Sequence, residues 1–404
     1  MTILKIKITI VRMLFVLARG SAHQERNRTS DFTRNEGIQM EKKKTEPKYL
    51  RIVEWIKKQV ADGVLNVGDR LASENELSAQ FGLSRQTVRQ ATSILENSGI
   101  LERRRGSGTY VSSTCVVQRA ATMNIGVVTT YLDDYLFPCI IRGIDGVLTE
   151  HGYTMQLSIT YNKVENERNI LEALLVKGID GLIIEPTKSG LPNLNADLYR
   201  QIKRQGIPCL FINAGYPGQS FPVVAMDDYA CGRSAAAYLL KNGHRRIGGI
   251  FKSDDNQGHL RYAGFAGELT RHKLPLQEGS IAWYTTEDLE IGPEERQTWE
   301  QSILKRMRDC SAVLCYNDQM AVRIMEAAER AGRRVPEDLS ILSFDDSYLA
   351  TLGWRGLTTF VHPKEELGAA AAEALLKFVN HEEIPAETLF PPQLKERDTV
   401  RSMK

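Results

Sequence analysis

Between residues 123 and 346 the sequence alternates short apolar runs with helix-periodic segments, and it does so in two successive series. The first series is MNIGVVTT, YTMQLSIT, DGLIIEP and PCLFIN. The second is PVVAMDD, RRIGGIFKS, SIAWYTT, SAVLCYND and LSILSFDD. Helical spacing over 140–151, 165–177, 198–205, 229–241, 260–271, 294–308 and a segment ending at 331 separates the runs. Apolar runs each followed by a helix specify parallel sheets with crossover helices. Two such series predict an α/β body of two doubly wound subdomains with a cleft between them.

Ligands of such sheets bind beyond the carboxyl ends of the strands. Those positions hold Thr130 and Tyr131, Glu185, Asn213, Arg261 at a helix start, Asn317 with Asp318, Asp345 with Asp346, and His362. Hydroxyl, amide, carboxylate and guanidinium groups beside an aromatic ring suit vicinal hydroxyls and the C–H face of a small polyol. Each residue also has a structural reading. Asp345 and Asp346 could cap a turn, Asn317 could cap the helix that follows it, and Arg261 could sit in a surface ion pair.

The front of the chain is built differently. Tyr49, Ile52, Val53, Ile56 and Val60 recur at helical spacing and end at Gly63. Ser73 and Glu76 form a capping box for SENELSAQF, which Gly82 closes. Ser84 then opens SRQTVRQATSILENSG, with Val88, Ala91 and Leu95 as its buried stripe. Two short helices joined by Gly82, Leu83 and Ser84 have helix-turn-helix spacing. They leave Arg85, Gln86, Arg89 and Gln90 exposed, side chains suited to base edges in a major groove. ILERRRGSGTYV adds a basic hairpin beside them, a wing whose small tip residues let backbone approach phosphate.

Charge follows the same division. Lys and Arg outnumber Asp and Glu by 20 to 12 over residues 1 to 112 and are outnumbered 32 to 38 over 113 to 404. A basic front on an acidic body implies an anionic partner for the front, nucleic acid before membrane surface. With 42% hydrophobic and 25% charged residues, wholesale disorder, collagen-like repeats and a coiled-coil rod are excluded.

Six cysteines without a CxxC pair give neither a disulfide framework nor a zinc site, and a reducing cytoplasm fits them. No apolar run reaches the ~18 residues of a membrane span. The short run 13–18 is flanked by Lys5, Lys7, Arg12 and Arg19, unlike a secretory signal. Residues 1 to 40 are expected to be a disordered or artefactual extension, with Met40 an alternative start. Residues 41 to 112 then form the DNA-binding domain, 113 to 122 a linker, and 123 to 404 the ligand-binding and dimerisation domain.

The segment GDRLASENELSAQFGLSRQTVRQATSILENSGILERRRGSGTYV resembles the winged helix-turn-helix of the GntR family. The resemblance implies DNA contacts by Lys48, Glu74, Ser84, Arg85, Thr87 and Arg89, and by Arg105, Gly106 and Gly108 in the wing. VVAMDDYACGRSAAAYLLKNGHRRIGGI, RYAGF, AVLCYNDQMA, RRVPEDLSILSFDD and LTTF resemble the effector-binding domain of LacI-type repressors, related to periplasmic sugar receptors. That implies effector contacts by Thr130, Glu185, Asn213, Arg261, Asn317, Asp345 and His362, beside Tyr131, and a homodimer interface on the first helix of the body and its adjoining strands. The hinge helix of LacI-type proteins is absent, and VHP follows LTTF where that family more often carries Gln. A GntR-type winged helix on a LacI-type body resembles repressors of arabinose utilisation, which implies L-arabinose as effector; composition and spacing alone indicate a small polyol.

The resemblances and the residues converge on a sugar-responsive repressor of double-stranded operator DNA, with no cofactor and no metal. A non-catalytic sugar receptor without DNA binding is the alternative, and it leaves the basic winged segment unexplained. No P-loop, GxGxxG after the first strand, GxSxG or HExxH is present, so no enzyme class is indicated. His151, His244, His259, His272 and His381 have no ligand spacing and are expected to be structural.

Overall fold

The computed structural model describes residues 47–61, 63–104, 106–112, 121–132, 135–276, 278–353 and 355–403. The expected extension over residues 1 to 40 and most of the expected linker lie outside these residues.

Residues 48 to 112 fold around a core of their own. Helix α1 (Lys48–Ala61) buries Ile52, Val53 and Ile56. Helix α2 (Glu74–Phe81) starts at Ser73, whose hydroxyl accepts the Glu76 N–H at 3.3 Å while the Glu76 carboxylate accepts the Ser73 N–H at 2.7 Å. Gly82 stops it in the left-handed conformation, φ 62°. Helix α3 (Arg85–Asn97) is capped by Ser84 and turns Val88, Ala91 and Leu95 inward against Leu77 and α1. Strands β1 (Leu101–Arg104) and β2 (Gly108–Val111) pair antiparallel, and the backbone at Asp69 to Leu71 adds hydrogen bonds to β2.

The body has two six-stranded sheets. In chain order its strands are β3 (Asn124–Thr129), β4 (Thr154–Ile159), β5 (Gly181–Ile184), β6 (Cys209–Ile212), β7 (Val223–Met226), β8 (Ile247–Lys252), β9 (Ile281–Tyr284), β10 (Ala312–Cys315), β11 (Ser340–Asp345), β12 (Thr358–Val361), β13 (Glu387–Phe390) and β14 (Leu394–Lys395). The first lobe has the order β4-β3-β5-β6-β7-β13, all parallel; the second has β9-β8-β10-β11-β12-β14, with only β14 antiparallel. The helices are α4 (Phe137–Glu150), α5 (Val164–Lys177), α6 (Ala196–Arg204), α7 (Asp228–Lys241), α8 (Asn256–Arg271), α9 (Pro293–Arg306), α10 (Asp318–Arg330), α11 (Leu349–Leu352) and α12 (Lys364–Val379). Central strands such as β5 and β10 are buried along their whole length, which accounts for their unbroken apolar runs.

One grouping differs from the sequence expectation. PVVAMDD was expected to open the second series, yet its strand β7 pairs with β6 and β13 in the first sheet, and only the following helix α7 joins the second lobe. The chain returns through α12, which packs with α4 and β3 in the first lobe, and crosses again between β13 and β14. An apolar run specifies a strand but not which of two similar sheets will accept it. The chain thus passes between the lobes three times, at Asp227, at His362 and between β13 and β14.

Candidate ligand cleft and nucleic-acid interface

A cavity of about 560 Å³ lies between the lobes, and Thr130, Tyr131, Glu185, Arg261, Asn317 and Asp345 line it. A second concavity of about 540 Å³ in the second lobe adjoins it through Val322, Glu326 and Leu349 and is otherwise walled by apolar side chains such as Met325 and Leu352. Convergent polar groups distinguish the interlobe cavity from it.

Glu185 follows β5. Its Oε2 accepts the N–H of Thr130 at 3.0 Å and also the Thr130 hydroxyl, and its Oε1 accepts Asn213 Nδ2 at 2.9 Å. Burial pushes the Glu185 carboxyl up to about 7, against the pull of these donors. Asn213 and His362 are not on the cavity wall. They form a buried row behind Glu185, with His362 Nε2 3.3 Å from Asn213 Oδ1. Burial, with Lys364 and Arg261 nearby, pushes His362 down to about 3, so the ring is neutral. Its Nδ1 is buried and has no hydrogen-bond partner among the described residues.

Arg261 on α8 is 1% exposed, so the surface ion pair considered from sequence is instead a buried one. Its Nε donates to Asp228 Oδ1 at 2.7 Å and its Nη1 to the Tyr316 carbonyl, with the guanidinium 4.5 Å from the Phe344 ring centroid and 4.9 Å from that of Tyr316. Burial raises Asp228 to about 6 in spite of Arg261; burial disfavours the Arg261 charge, which Asp228, Tyr316 and Asp345 together more than offset. Asn317 caps α10 by accepting the Met320 N–H at 2.9 Å, as its structural reading expected, and its side chain also lines the cavity. Asp345, in a left-handed backbone conformation (φ 108°), accepts the Tyr135 hydroxyl from the other lobe at 2.6 Å. Its neighbour Asp346 pairs with Arg397.

Sequence reasoning missed Lys252 at the end of β8, Asp255, Gln257, Tyr284 and Tyr316, all on the cavity wall. The signal was available, because most of them stand at strand ends by the same rule that selected Thr130 and Glu185. Lys252 keeps its charge because Asp255 and Asp254 offset its burial. Further contacts join the lobes beside the cavity. Asn162 Nδ2 donates to Thr286 Oγ1 at 2.6 Å, Ser189 Oγ to Asp255 Oδ1 at 3.0 Å, and Lys188 pairs with Asp254 and Glu287.

On the front module, Arg85, Gln86, Arg89 and Gln90 are exposed along one face of α3. Glu74 at the start of α2 grips Arg89 with two hydrogen bonds, Nε to Oε1 at 3.1 Å and Nη2 to Oε2 at 2.8 Å, and this contact holds the Glu74 carboxyl below its usual range. Ser84 and Thr87 are hydrogen bonded to each other at the α3 N-terminus, and Lys48 is exposed at the start of α1. In the wing, Gly106 (φ 75°) and Gly108 (φ 129°) adopt backbone that side chains disfavour. Arg104 lies over the Tyr110 ring and pairs with Glu102. Arg105 lies outside the described residues.

A model of the bacterial regulatory proteins of the gntR family matches residues 48–111, and one of a periplasmic binding protein-like domain matches residues 236–400. The chain is 38% identical over 366 residues to the arabinose metabolism transcriptional repressor of Geobacillus stearothermophilus, covering 90% of this chain and 100% of that protein. It is 37% identical over 341 residues to the repressor of the same description from Halalkalibacterium halodurans, covering 83% and 90%. The chain belongs to the family of arabinose metabolism transcriptional repressors. Members of this repressor family are regulators rather than enzymes, and the present chain is a regulator too. The repressor also shares its fold with the transcription regulator CcpA of Lactococcus lactis, with a TM-score of 0.61 at 22% identity over 70% of this chain and all of that one. Among the described residues of the repressor, no group of His, Cys, Asp and Glu is arranged to hold a metal ion, and no helix is long and apolar enough to cross a membrane.

Proposed function

We propose that this repressor acts in the cytoplasm as a homodimer that binds a pseudo-palindromic operator and is released by L-arabinose. The observation that carries the reading is the interlobe cavity, where carboxylate, guanidinium, amide and phenol groups from both lobes converge on a space of sugar size. Thr130, Tyr131, Glu185, Arg261, Asn317 and Asp345 contact the sugar, and Asn213 and His362 act behind them by orienting Glu185. The names of the relatives support arabinose as the regulated sugar.

On the DNA, Arg85 and Arg89 read base edges in the major groove, and Ser84, Thr87 and Lys48 hold phosphates. Arg105, Gly106 and Gly108 bring the wing to the backbone or minor groove. Glu74 positions Arg89. Two copies related by a two-fold axis match the two half-sites of the operator, through an interface on α4 and adjoining strands.

The test is a titration of purified protein against its own upstream DNA, repeated with a panel of pentoses and hexoses. Release by L-arabinose alone is the expected result. Release by another sugar replaces the effector, and absence of any specific complex at every salt concentration refutes the repressor reading.

A further inference from the structure

Two half-buried arginines beside the cleft each keep a buried N–H donor without an acceptor. Arg323 on α10 makes no hydrogen bond or ion pair with any described residue, and its Nη1 is buried without a partner. Arg296 on α9 donates through Nη2 to the carbonyls of Leu289 and Ile291 at 3.2 and 2.9 Å, but its Nε is likewise buried and unpartnered. Both line a depression of about 360 Å³, together with Gln297, Glu300, Glu326 and Arg330. The acids there are engaged by Arg330, 2.7 Å from Glu300 and 3.9 Å from Glu326. Burial and the like charge of Arg296 hold the Arg323 pKa below its ordinary value, and the two glutamates only partly offset this.

Buried donors without acceptors are rare in native proteins and call for a specific account. Guanidinium groups from two helices present several N–H donors in fixed planes, the arrangement that suits a tetrahedral oxyanion. Arg323 and Glu326 also line the interlobe cavity, so the depression adjoins the cleft at its mouth. We propose that Arg296 and Arg323 form a phosphoryl-binding subsite at the mouth of the cleft. The phosphoryl group is either inorganic phosphate or the terminal phosphate of a sugar phosphate whose ring lies in the cleft. Only the second source rests on the cleft being a sugar site.

Calorimetry on the full chain in phosphate-free buffer tests this with inorganic phosphate, a pentose 5-phosphate and L-arabinose as separate titrants. Inorganic phosphate is expected to bind saturably and to weaken at least tenfold in both Arg296→Gln and Arg323→Gln, while operator binding without ligand confirms that each variant is folded. Arg296→Gln keeps its L-arabinose affinity within about twofold. A pentose phosphate that competes with both phosphate and L-arabinose identifies the sugar phosphate as the source; one that competes with phosphate alone identifies the free anion. No phosphate binding by the parent protein, or phosphate affinity unchanged in both variants, overturns the proposal. Phosphate binding lost in the variants, with no sugar bound at all, would sustain the subsite and refute the sugar reading of the cleft.

Discussion

Arg261 and Glu185 show how residue chemistry sets what a substitution can report. Arg261→Ala removes a polar group from the cavity wall, and it also strands Asp228, which is buried and paired with it at 2.7 Å. Breaking one side of such a pair costs ~3–5 kcal/mol, whereas replacing both partners with apolar side chains is often neutral. Arg261→Ala is therefore expected to lower the unfolding temperature and abolish pentose binding, while Arg261→Met with Asp228→Leu regains stability and still fails to bind. Thermal unfolding beside calorimetry checks this, and recovered sugar binding by the double variant would remove Arg261 from the site. Glu185 gives a pH signature. Its folded-state pKa of about 7 lies above its usual value, so the folded protein holds a proton there that the unfolded chain releases, and this carboxyl's contribution to stability falls as pH rises toward 7. Sugar hydroxyls donate best to the ionised form, so L-arabinose affinity should rise across the same window. In Glu185→Gln the affinity should drop at least about tenfold and the pH slope flatten. A slope that survives in Glu185→Gln would assign the titration elsewhere. From sequence, Glu185, Asn213 and His362 are three equivalent strand-end residues. Only their stacking in depth, fixed by the order β5-β6 and the return at β12, separates the one that faces the cavity from the two behind it.

At the scale of elements, the sequence is most legible where one helix carries its own signals. The capping box at Ser73, the left-handed stop at Gly82 and the inward stripe of α3 are all local, and all appear where the spacing puts them. What joins two elements is less legible, because it depends on pairs far apart in sequence. The Glu74–Arg89 contact spans 15 residues and locks the exposed face of α3 to the start of α2. Glu74→Ala frees Arg89 and removes a negative charge near the DNA. Non-specific affinity should therefore rise, while the ratio of specific to non-specific affinity falls by about fivefold or more. Competition of operator against random DNA at several salt concentrations measures both, and an unchanged ratio would leave Glu74 as a surface charge. Helix pairs in the body show the same limit. Gly143 on α4 and Gly368 on α12 sit where a Cβ would run into the backbone carbonyls of Glu365 and Ile140 respectively, so these helices touch backbone to backbone. Gly143→Val is expected to destabilise the first lobe by several kcal/mol through overpacking. A chemical denaturation midpoint equal to that of the parent would contradict the close approach. The same long-range pairing put β7 in the first sheet and brought α12 back to it, which no window of sequence displays.

With its sugar in the interlobe cavity as proposed, the molecule as a whole has to convert that binding into a change at the DNA. Tyr135 to Asp345, Asn162 to Thr286 and Ser189 to Asp255 bridge the lobes around the cavity, so a ligand that touches both lobes favours the same closed arrangement. The chain enters the first lobe under a clamp. Asp180 Oδ1 accepts the N–H and hydroxyl of Thr122, each at 2.9 Å, and Oδ2 accepts the Met123 N–H at 2.8 Å, which ties the end of the segment arriving from the winged module to the lobe just before β3. Linkage requires that operator DNA weaken sugar binding by the same factor by which sugar weakens operator binding, ordinarily ~5–150-fold. Asp180 is not among the residues lining the cavity and lies outside α3. If the lobe moves the winged module through this clamp, Asp180→Ala should keep operator affinity without sugar, and sugar affinity without operator, near the parent values while the coupling factor falls toward one. Calorimetry of L-arabinose with and without saturating operator, on parent and variant, measures that factor directly. A parent protein with equal sugar affinities in the two states would abolish the coupling itself. A variant whose coupling stays at the parent level would show that the signal leaves the lobes by some route other than the clamped entry at Thr122 and Met123.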